Sequence, residues 1–371
     1  MGWAISSWAV TWAGMAEGRS IWERLRGFRS ATPPPRLPDA RAPRTHVVLL
    51  DGTMSSLKRG CETNIGLIYR LLSEVGPASD LMIYYEPGIQ WRGAKRAIEV
   101  IAGVGINRQI KRSYLFLARN YQPGDRIFLL GYSRGAFAVR SLAGLIDKLG
   151  LLRPAQISEE TMARLYHLYE CAPDGAEAQA FRAARCHGEA PITMVGVFDT
   201  VRALGLRWPV LWRLAPQAHE FHNHRLGPGI LNGFHALALD ETRDAYAPVL
   251  WQVPPAREGD IVQMWFRGSH GDIGGNLDDS HAARPLSNIS LVWMLERAEG
   301  CGLALPPNWR GRYLTDPAAP SAGNLRGWGA LFLYRHRRQP GQDLSERVHP
   351  TAAPFLRAAG VAVDGEGRIG P

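Results

Sequence analysis

One stretch constrains this chain more than any other: Arg126-Ile-Phe-Leu-Leu-Gly-Tyr-Ser-Arg-Gly-Ala-Phe-Ala-Val-Arg140. Residues 127–130 form an apolar run of the length expected for a buried strand. The chain then turns through Gly131-Tyr132-Ser133-Arg134-Gly135 and continues with Ala136, Phe137, Val139, Leu142 and Leu145 at helical spacing. Strand, G-x-S-x-G and helix in that order make a nucleophile elbow, which lifts a serine hydroxyl clear of a sheet edge. Glycines two residues either side of the serine let strand and helix pass closely. The following helix turns its free N–H groups and positive dipole end toward any oxyanion formed at Ser133. The alternative for this stretch alone is an ordinary glycine-rich turn.

At 371 residues the chain has ample material for a large α/β core. Its 43 Lys and Arg against 34 Asp and Glu leave a net charge of +9, which suits an anionic membrane surface or nucleic acid. The basic residues are scattered, and no reading helix or nucleic-acid motif accompanies them, so nucleic-acid binding ranks last. Cys61, Cys171, Cys186 and Cys301 are too dispersed for a C-x-x-C motif. Free thiols, compatible with cytoplasmic synthesis, are the expectation.

Residues 1–44 read as a Trp-containing extension (Trp3, Trp8, Trp12, Trp22) followed by a proline-rich linker. Its apolar part lacks a basic leader and is too short to span a bilayer, so neither a signal peptide nor a transmembrane helix is expected. Residues 45–302 read as the catalytic domain, and 303–371 as an extension packed on it or continuing it. Buried strands are expected at 46–50, 81–85, 127–130, 192–198 and 261–266, with helices at 64–72, 93–120, 134–149, 157–186 and 289–298. A further helix is expected at 230–239. The aromatic segment 204–228, with Trp208, Trp212 and Phe221, reads as a cap or lid. The fold class is α/β, with a mostly parallel central sheet and helices on both faces.

A serine nucleophile needs a base and an orienting acid, which in this fold follow in the order Ser, Asp or Glu, His at strand ends. Asp199 ends the 192–198 strand and His270 follows the 261–266 strand, so the candidate unit is Ser133, Asp199 and His270. Asp199 as a helix cap and His270 as an ordinary loop histidine are the bland alternatives. His235 falls within the expected helix and reads as structural. His219, His222 and His224 lack the partners of a metal site, and no metal or other cofactor is expected. The oxyanion donors are the backbone N–H of Arg134 and that of Gly52 or Thr53. Asp51 reads as a turn former or an orienting group behind that loop, and Asp272 as a local partner of the histidine loop.

Several further motifs accompany these in a fixed order: Leu50-Asp51-Gly52-Thr53, Thr63-Asn64, Tyr84-Tyr85 with Gly88, and Gly131-Tyr132-Ser133-Arg134-Gly135-Ala136. There follow Gly196-Val-Phe-Asp-Thr-Val201, His235-Ala-Leu-Ala-Leu-Asp-Glu241 with Pro248 and Trp251, and Trp265-Phe-Arg-Gly-Ser-His-Gly-Asp-Ile-Gly-Gly275. Over residues 45–300 this set resembles the α/β-hydrolase family that includes the catalytic domain of type VI secretion phospholipase effectors. Met54-Ser55-Ser56 and Asn276 depart from its usual pattern. The resemblance implies a serine esterase using Ser133, Asp199 and His270, acting on a small or membrane lipid ester in the manner of a phospholipase A or lipase. It also implies export by a dedicated secretion system. The competing reading is a non-catalytic interaction module that keeps the hydrolase fold.

Overall fold

Seven parallel strands lie in the order β2-β1-β3-β4-β5-β6-β7. The structure is a computed structural model, and it describes residues 41–53, 55–76, 80–88, 104–201, 225–257, 260–325 and 332–370. The tryptophan-rich extension (apart from residues 41–44), the 204–224 part of the expected lid, the histidines at 219, 222 and 224 and the 93–103 part of an expected helix lie outside them. Residues Pro43–Pro371 group as one compact unit.

The chain enters through β1 (Thr45–Leu50), passes through helix α1 (Asn64–Ser73) and makes β2 (Leu81–Glu86) at the sheet edge. It returns through α2 (Val104–Asn120) to β3 (Arg126–Tyr132), on the other side of β1. That reversal creates a switch point between β1 and β3, where open α/β sheets leave a crevice beyond their carboxyl ends. The elbow lies there. From it run α3 (Arg134–Leu149), α4 (Glu159–Cys171), α5 (Ala176–Arg185) and β4 (Ile192–Phe198). Then come β5 (Ile230–Ala238), β6 (Ile261–Phe266), α6 (His270–Gly274) and α7 (Arg284–Gly300). The last elements are β7 (Glu346–Val348) and α8 (Ala353–Ala358).

Strand periodicity divides the core into two layers. Val48, Leu50, Leu129, Val195 and Val197 pack against α2, α3 and α4 through Tyr114, Leu117, Val139, Leu142 and Leu165. The alternate residues Val47, Leu49, Phe128, Leu130, Met194 and Phe198 meet α1 and α7 through Ile65, Ile68, Leu71, Leu291 and Leu295. Each fully buried aliphatic side chain contributes about 1.5–3 kcal/mol. Both sheet faces are therefore covered, as the apolar, non-alternating strands require.

Residues 230–238 correct the expected helix: they form β5, paired in parallel with β4 and β6. A buried apolar run looks the same to either periodicity, and its Ala and Leu content favours helix. Open ladders on both flanking strands decide the outcome, because buried N–H and C=O groups must be paired. The tail beyond residue 302 contributes a seventh strand, β7, whose Gln263↔Glu346 to Trp265↔Val348 register extends the sheet.

Candidate active site

All strands point one way, so their carboxyl ends share one edge, and the sequence motifs lie along it. Ser133 follows β3, Asp199 follows β4 and His270 opens α6 after β6. Ser133 has φ 56° and ψ −118°, a conformation costing a non-glycine residue on the order of 1–3 kcal/mol. Its N–H donates to the Phe198 carbonyl at 3.0 Å, and its own carbonyl accepts the Phe137 N–H at 3.1 Å. The elbow glycines are steric necessities. A Cβ on Gly135 would lie 2.1 Å from the Leu50 carbonyl oxygen, and one on Gly131 would lie 2.6 Å from that of Gly135.

The Ser133 Oγ lies 2.8 Å from His270 Nε2, and His270 Nδ1 lies 2.6 Å from Asp199 Oδ2. Asp199 is fully buried, while Ser133 and His270 are 7 % and 5 % exposed. Burial alone would raise the Asp199 carboxyl, but the charge of Arg338 and the His270 hydrogen bond outweigh it and hold the carboxyl well below the usual carboxylate range. An ionised carboxylate can only accept. The imidazole proton therefore resides on Nδ1, leaving Nε2 to accept the Ser133 hydroxyl. Burial lowers the His270 pKa, and the opposing pull of Asp199 and Glu241 does not reverse it.

Asp199 is strained too, with φ 42°. Its N–H donates to Ala236 O at 2.7 Å, and its Oδ1 accepts the Ala238 N–H at 3.0 Å. The next residue, Thr200, donates its N–H to His235 Nε2 at 3.1 Å. His235 is thus a structural residue, as the sequence suggests, although on a strand. Burial pushes its pKa down to about 3, and it stays neutral to hold that turn.

Tyr132 wedges between two loops of the site. Its ring lies tilted against His270 with centroids 5.0 Å apart, and its hydroxyl donates to the His270 carbonyl at 3.2 Å. A Cβ at Gly52 would lie 2.4 Å from the same ring, and one at Gly274 1.9 Å from it. The glycines of Asp-Gly-Thr and of the histidine loop therefore make room for one tyrosine.

Asp51 organises the loop after β1. Its carboxylate accepts from Thr63 Oγ1 at 2.7 Å, Tyr85 OH at 2.9 Å and the Gly52 N–H at 2.7 Å. Burial pushes its pKa up to about 6, against the pull of those hydrogen bonds. Thr63 also caps α1 by accepting the Gly66 N–H at 3.0 Å, which explains the Thr63-Asn64 motif. Of the two early candidates for the oxyanion donor, the Gly52 N–H is engaged by Asp51, which leaves that of Thr53. Arg134, the residue after Ser133, opens the first turn of α3. Asp272 closes a capping box with Ser269 at the start of α6 and accepts from Ser321 Oγ at 2.5 Å and Ala322 N at 2.8 Å.

Three contributors escaped the sequence reading. Arg338 donates Nη1 to Asp199 Oδ1 at 2.5 Å and Nη2 to Oδ2 at 3.0 Å. Glu241 accepts the His270 backbone N–H at 3.2 Å and pairs with Arg243. Tyr246 meets the His270 ring edge-on at 4.9 Å. Only Glu241 stood in a quoted motif, and nothing in the spacing marked Arg338. Among the described residues no group of three His, Cys, Asp or Glu is arranged to hold a metal, and no helix is long and apolar enough to cross a membrane.

A doubly wound parallel sheet with a strained serine at its switch point defines an α/β-hydrolase-like protein. Within that class the chain belongs to the family described as "T6SS, Phospholipase effector Tle1-like, catalytic domain", whose model matches residues 44–297. It is also similar to an uncharacterized protein of Saccharomyces cerevisiae, YEL023C, at 28 % identity over 235 residues, covering 56 % of this chain and 33 % of that one. A crystal structure of an uncharacterized Pseudomonas aeruginosa protein aligns with 16 % identity and a TM-score of 0.42, over 74 % of this chain and 49 % of the other. The Tle1 effector bound to the VgrG spike of the type 6 secretion system aligns with 17 % identity and a TM-score of 0.36, over 66 % and 54 %. The chain thus spans about a third of the yeast relative and about half of each solved chain.

Proposed function

We propose that this protein is a serine hydrolase of lipid carboxylic esters, with glycerophospholipids as the substrate class that its family membership favours. The observation carrying the reaction is the unbroken hydrogen-bond chain from Ser133 Oγ through His270 to Asp199 Oδ2, at 2.8 and 2.6 Å. Ser133 Oγ attacks the acyl carbonyl while His270 Nε2 takes its proton, and Asp199 stabilises the imidazolium that forms. The backbone N–H groups of Arg134 and Thr53 receive the oxyanion. As the ester C–O bond breaks, His270 returns the proton to the leaving alkoxide, releasing the alcohol and leaving an acyl-serine. Water then attacks that acyl group with His270 again as base, freeing the fatty acid and Ser133. An anionic bilayer suits the net charge of +9, and family membership extends the reading to export through a type VI secretion machine.

The test is intact-protein mass spectrometry after fluorophosphonate treatment, followed by product analysis on phospholipid vesicles. Wild type should gain one adduct and release fatty acid, and Ser133→Ala should do neither, losing about 10³-fold or more in turnover. Full activity in Ser133→Ala would remove this mechanism. A labelled enzyme that leaves phospholipids intact but cleaves short esters would remove the substrate class alone. Loss of export when the secretion sheath is disabled tests the delivery route.

A further inference from the structure

The family match ends at residue 297, yet the acid of the candidate site is held by a residue well beyond it. Arg338 presents both terminal nitrogens to both oxygens of Asp199, at 2.5 and 3.0 Å. The same two nitrogens donate to the carbonyls of Ala238 at 2.8 Å and Tyr246 at 2.5 Å. The guanidinium therefore ties the end of β5, the loop after it and the turn after β4 to one carboxylate. Its side chain is only 6 % exposed, and that of Asp199 is fully buried. Such a pair adds little stability over an apolar replacement, because desolvation offsets most of its attraction. A different reason for its presence follows from the chemistry of the carboxylate.

Without Arg338, Asp199 Oδ1 would keep only the Ala238 N–H at 3.0 Å, a weaker hold against rotation about the Cβ–Cγ bond. With the fork attached, Oδ2 stays aimed at Nδ1, and the imidazole keeps its aim at Ser133. The charges around the ring are balanced as well. Asp199 is paired with Arg338 across β4, β5 and the tail, while Glu241, which accepts the His270 N–H, is paired with Arg243 at 2.7 Å. Tyr132 from β3 and Tyr246 from the loop after β5 cover the ring faces. Two neutralised carboxylates thus flank the base.

We propose that Arg338 is a positioning residue of the hydrolytic centre: it fixes both oxygens of Asp199, offsets their charge, and makes the segment after residue 302 part of the site. This rests on the reading of Ser133, His270 and Asp199 as the reacting unit. With its acid neutralised in this way, His270 holds a proton less tightly and serves as a base at lower pH than it would beside a bare carboxylate.

The experiment follows fluorophosphonate labelling of Ser133 against pH in wild type, Arg338→Lys and Arg338→Gln, with hydrolysis of a short p-nitrophenyl ester in parallel. In Arg338→Gln the acid limb should move up by about one pH unit. In Arg338→Lys the charge remains but the fork is lost, so the limb should stay near that of wild type while the rate falls about tenfold. A folded Arg338→Gln protein with an unmoved limb would overturn the proposal, whatever its rate. Should that variant not fold, Arg338→Lys decides alone: a labelling rate unchanged from wild type would overturn the proposal, and the loss of about tenfold with a folded protein supports it. A wild type that never labels at Ser133 removes the underlying reading, whereas a labelled serine with an unmoved limb removes only the role of Arg338.

Discussion

The Ser133 N–H donates to the carbonyl of Phe198 at 3.0 Å, so the strained serine is pinned to the residue just before the equally strained Asp199. Ser133 and Asp199 are thus neighbours through the backbone as well as through His270, and any shift of the elbow moves both. Gly135 is the sensitive point, because a Cβ there would lie 2.1 Å from Leu50 O and 2.6 Å from Asp51 O. Backbone atoms cannot step aside as a flexible side chain can. Gly135→Ala is expected to destabilise the fold by about 2–4 kcal/mol and to depress Ser133 labelling in whatever folded protein remains. Urea unfolding measures the first effect. An unchanged midpoint would show that the elbow has slack which the geometry denies it.

The pH dependence of turnover follows from the sign of the His270 shift. Burial lowers its pKa, and Asp199 and Glu241 pull it back only in part. In the proposed mechanism His270 must be neutral to act as base, so kcat/KM should hold as pH falls through 6.5 and decline only below it. Glu241→Gln removes a charge that favours the imidazolium and leaves Arg243 unpaired beside the ring. Both changes disfavour protonation, and the limb should move to lower pH. A pH–rate profile of the two proteins checks the direction, and a shift to higher pH would contradict this electrostatic account.

The convergence of the candidate residues was legible because they lie at strand ends: Ser133, Asp199 and His270 each follow a short apolar run. The fold was legible for a related reason. Strands β1, β3, β4 and β6 are largely buried and read as predominantly apolar segments. β5 is buried over residues 233–238, but its Ala-Leu-Ala content after His235 hid the strand behind helix propensity, and only its neighbours' open ladders determine its form. Arg338 was invisible for the opposite reason. It sits in an Arg-His-Arg-Arg run that looks like a solvated surface, and only its distant partner Asp199 gives it meaning. The engagement of Gly52 by Asp51 was hidden too, since a side chain turning back on the next N–H leaves no mark in spacing.

Two histidines outside the candidate site, the buried His235 and the partly buried His349, lower stability in acid. Burial holds His235 neutral down to about pH 3 and His349, stacked on Phe266, down to about pH 4. Above pH 6.5 neither folded nor unfolded chain protonates them, and their contribution to stability is intact. As pH falls below 6.5 the unfolded chain binds protons that these sites refuse. Stability is therefore lost at up to about 1.4 kcal/mol per pH unit for each group. His235→Gln keeps an acceptor for the Thr200 N–H and removes the titration. Its urea midpoint should fall less steeply than that of wild type between pH 6.5 and 4. Parallel slopes would mean that the unfolding transition does not expose this site.

The seventh strand is held less by its own length than by one buried carboxylate. Glu346 accepts the Trp265 indole N–H at 2.7 Å, and its two oxygens also take the backbone N–H groups of Gly341, Gln342 and Asp343 at 3.0, 2.7 and 2.7 Å. Three residues of ladder could not hold a strand alone, and Val348 adds packing against Leu237, Trp265 and Leu356. Glu346→Ala leaves four donors without an acceptor, at a cost of about 3 kcal/mol or more. The melting temperature should fall accordingly, whereas Glu346→Gln, which keeps an acceptor oxygen, should fall less. Removing everything after residue 302 goes further, baring Trp265, Leu237 and the unpaired edge of β6, a surface that invites edge-to-edge association. The truncated chain should aggregate on expression. If it instead stays monomeric with a cooperative melt, β7 is an addition to a sheet that was already complete.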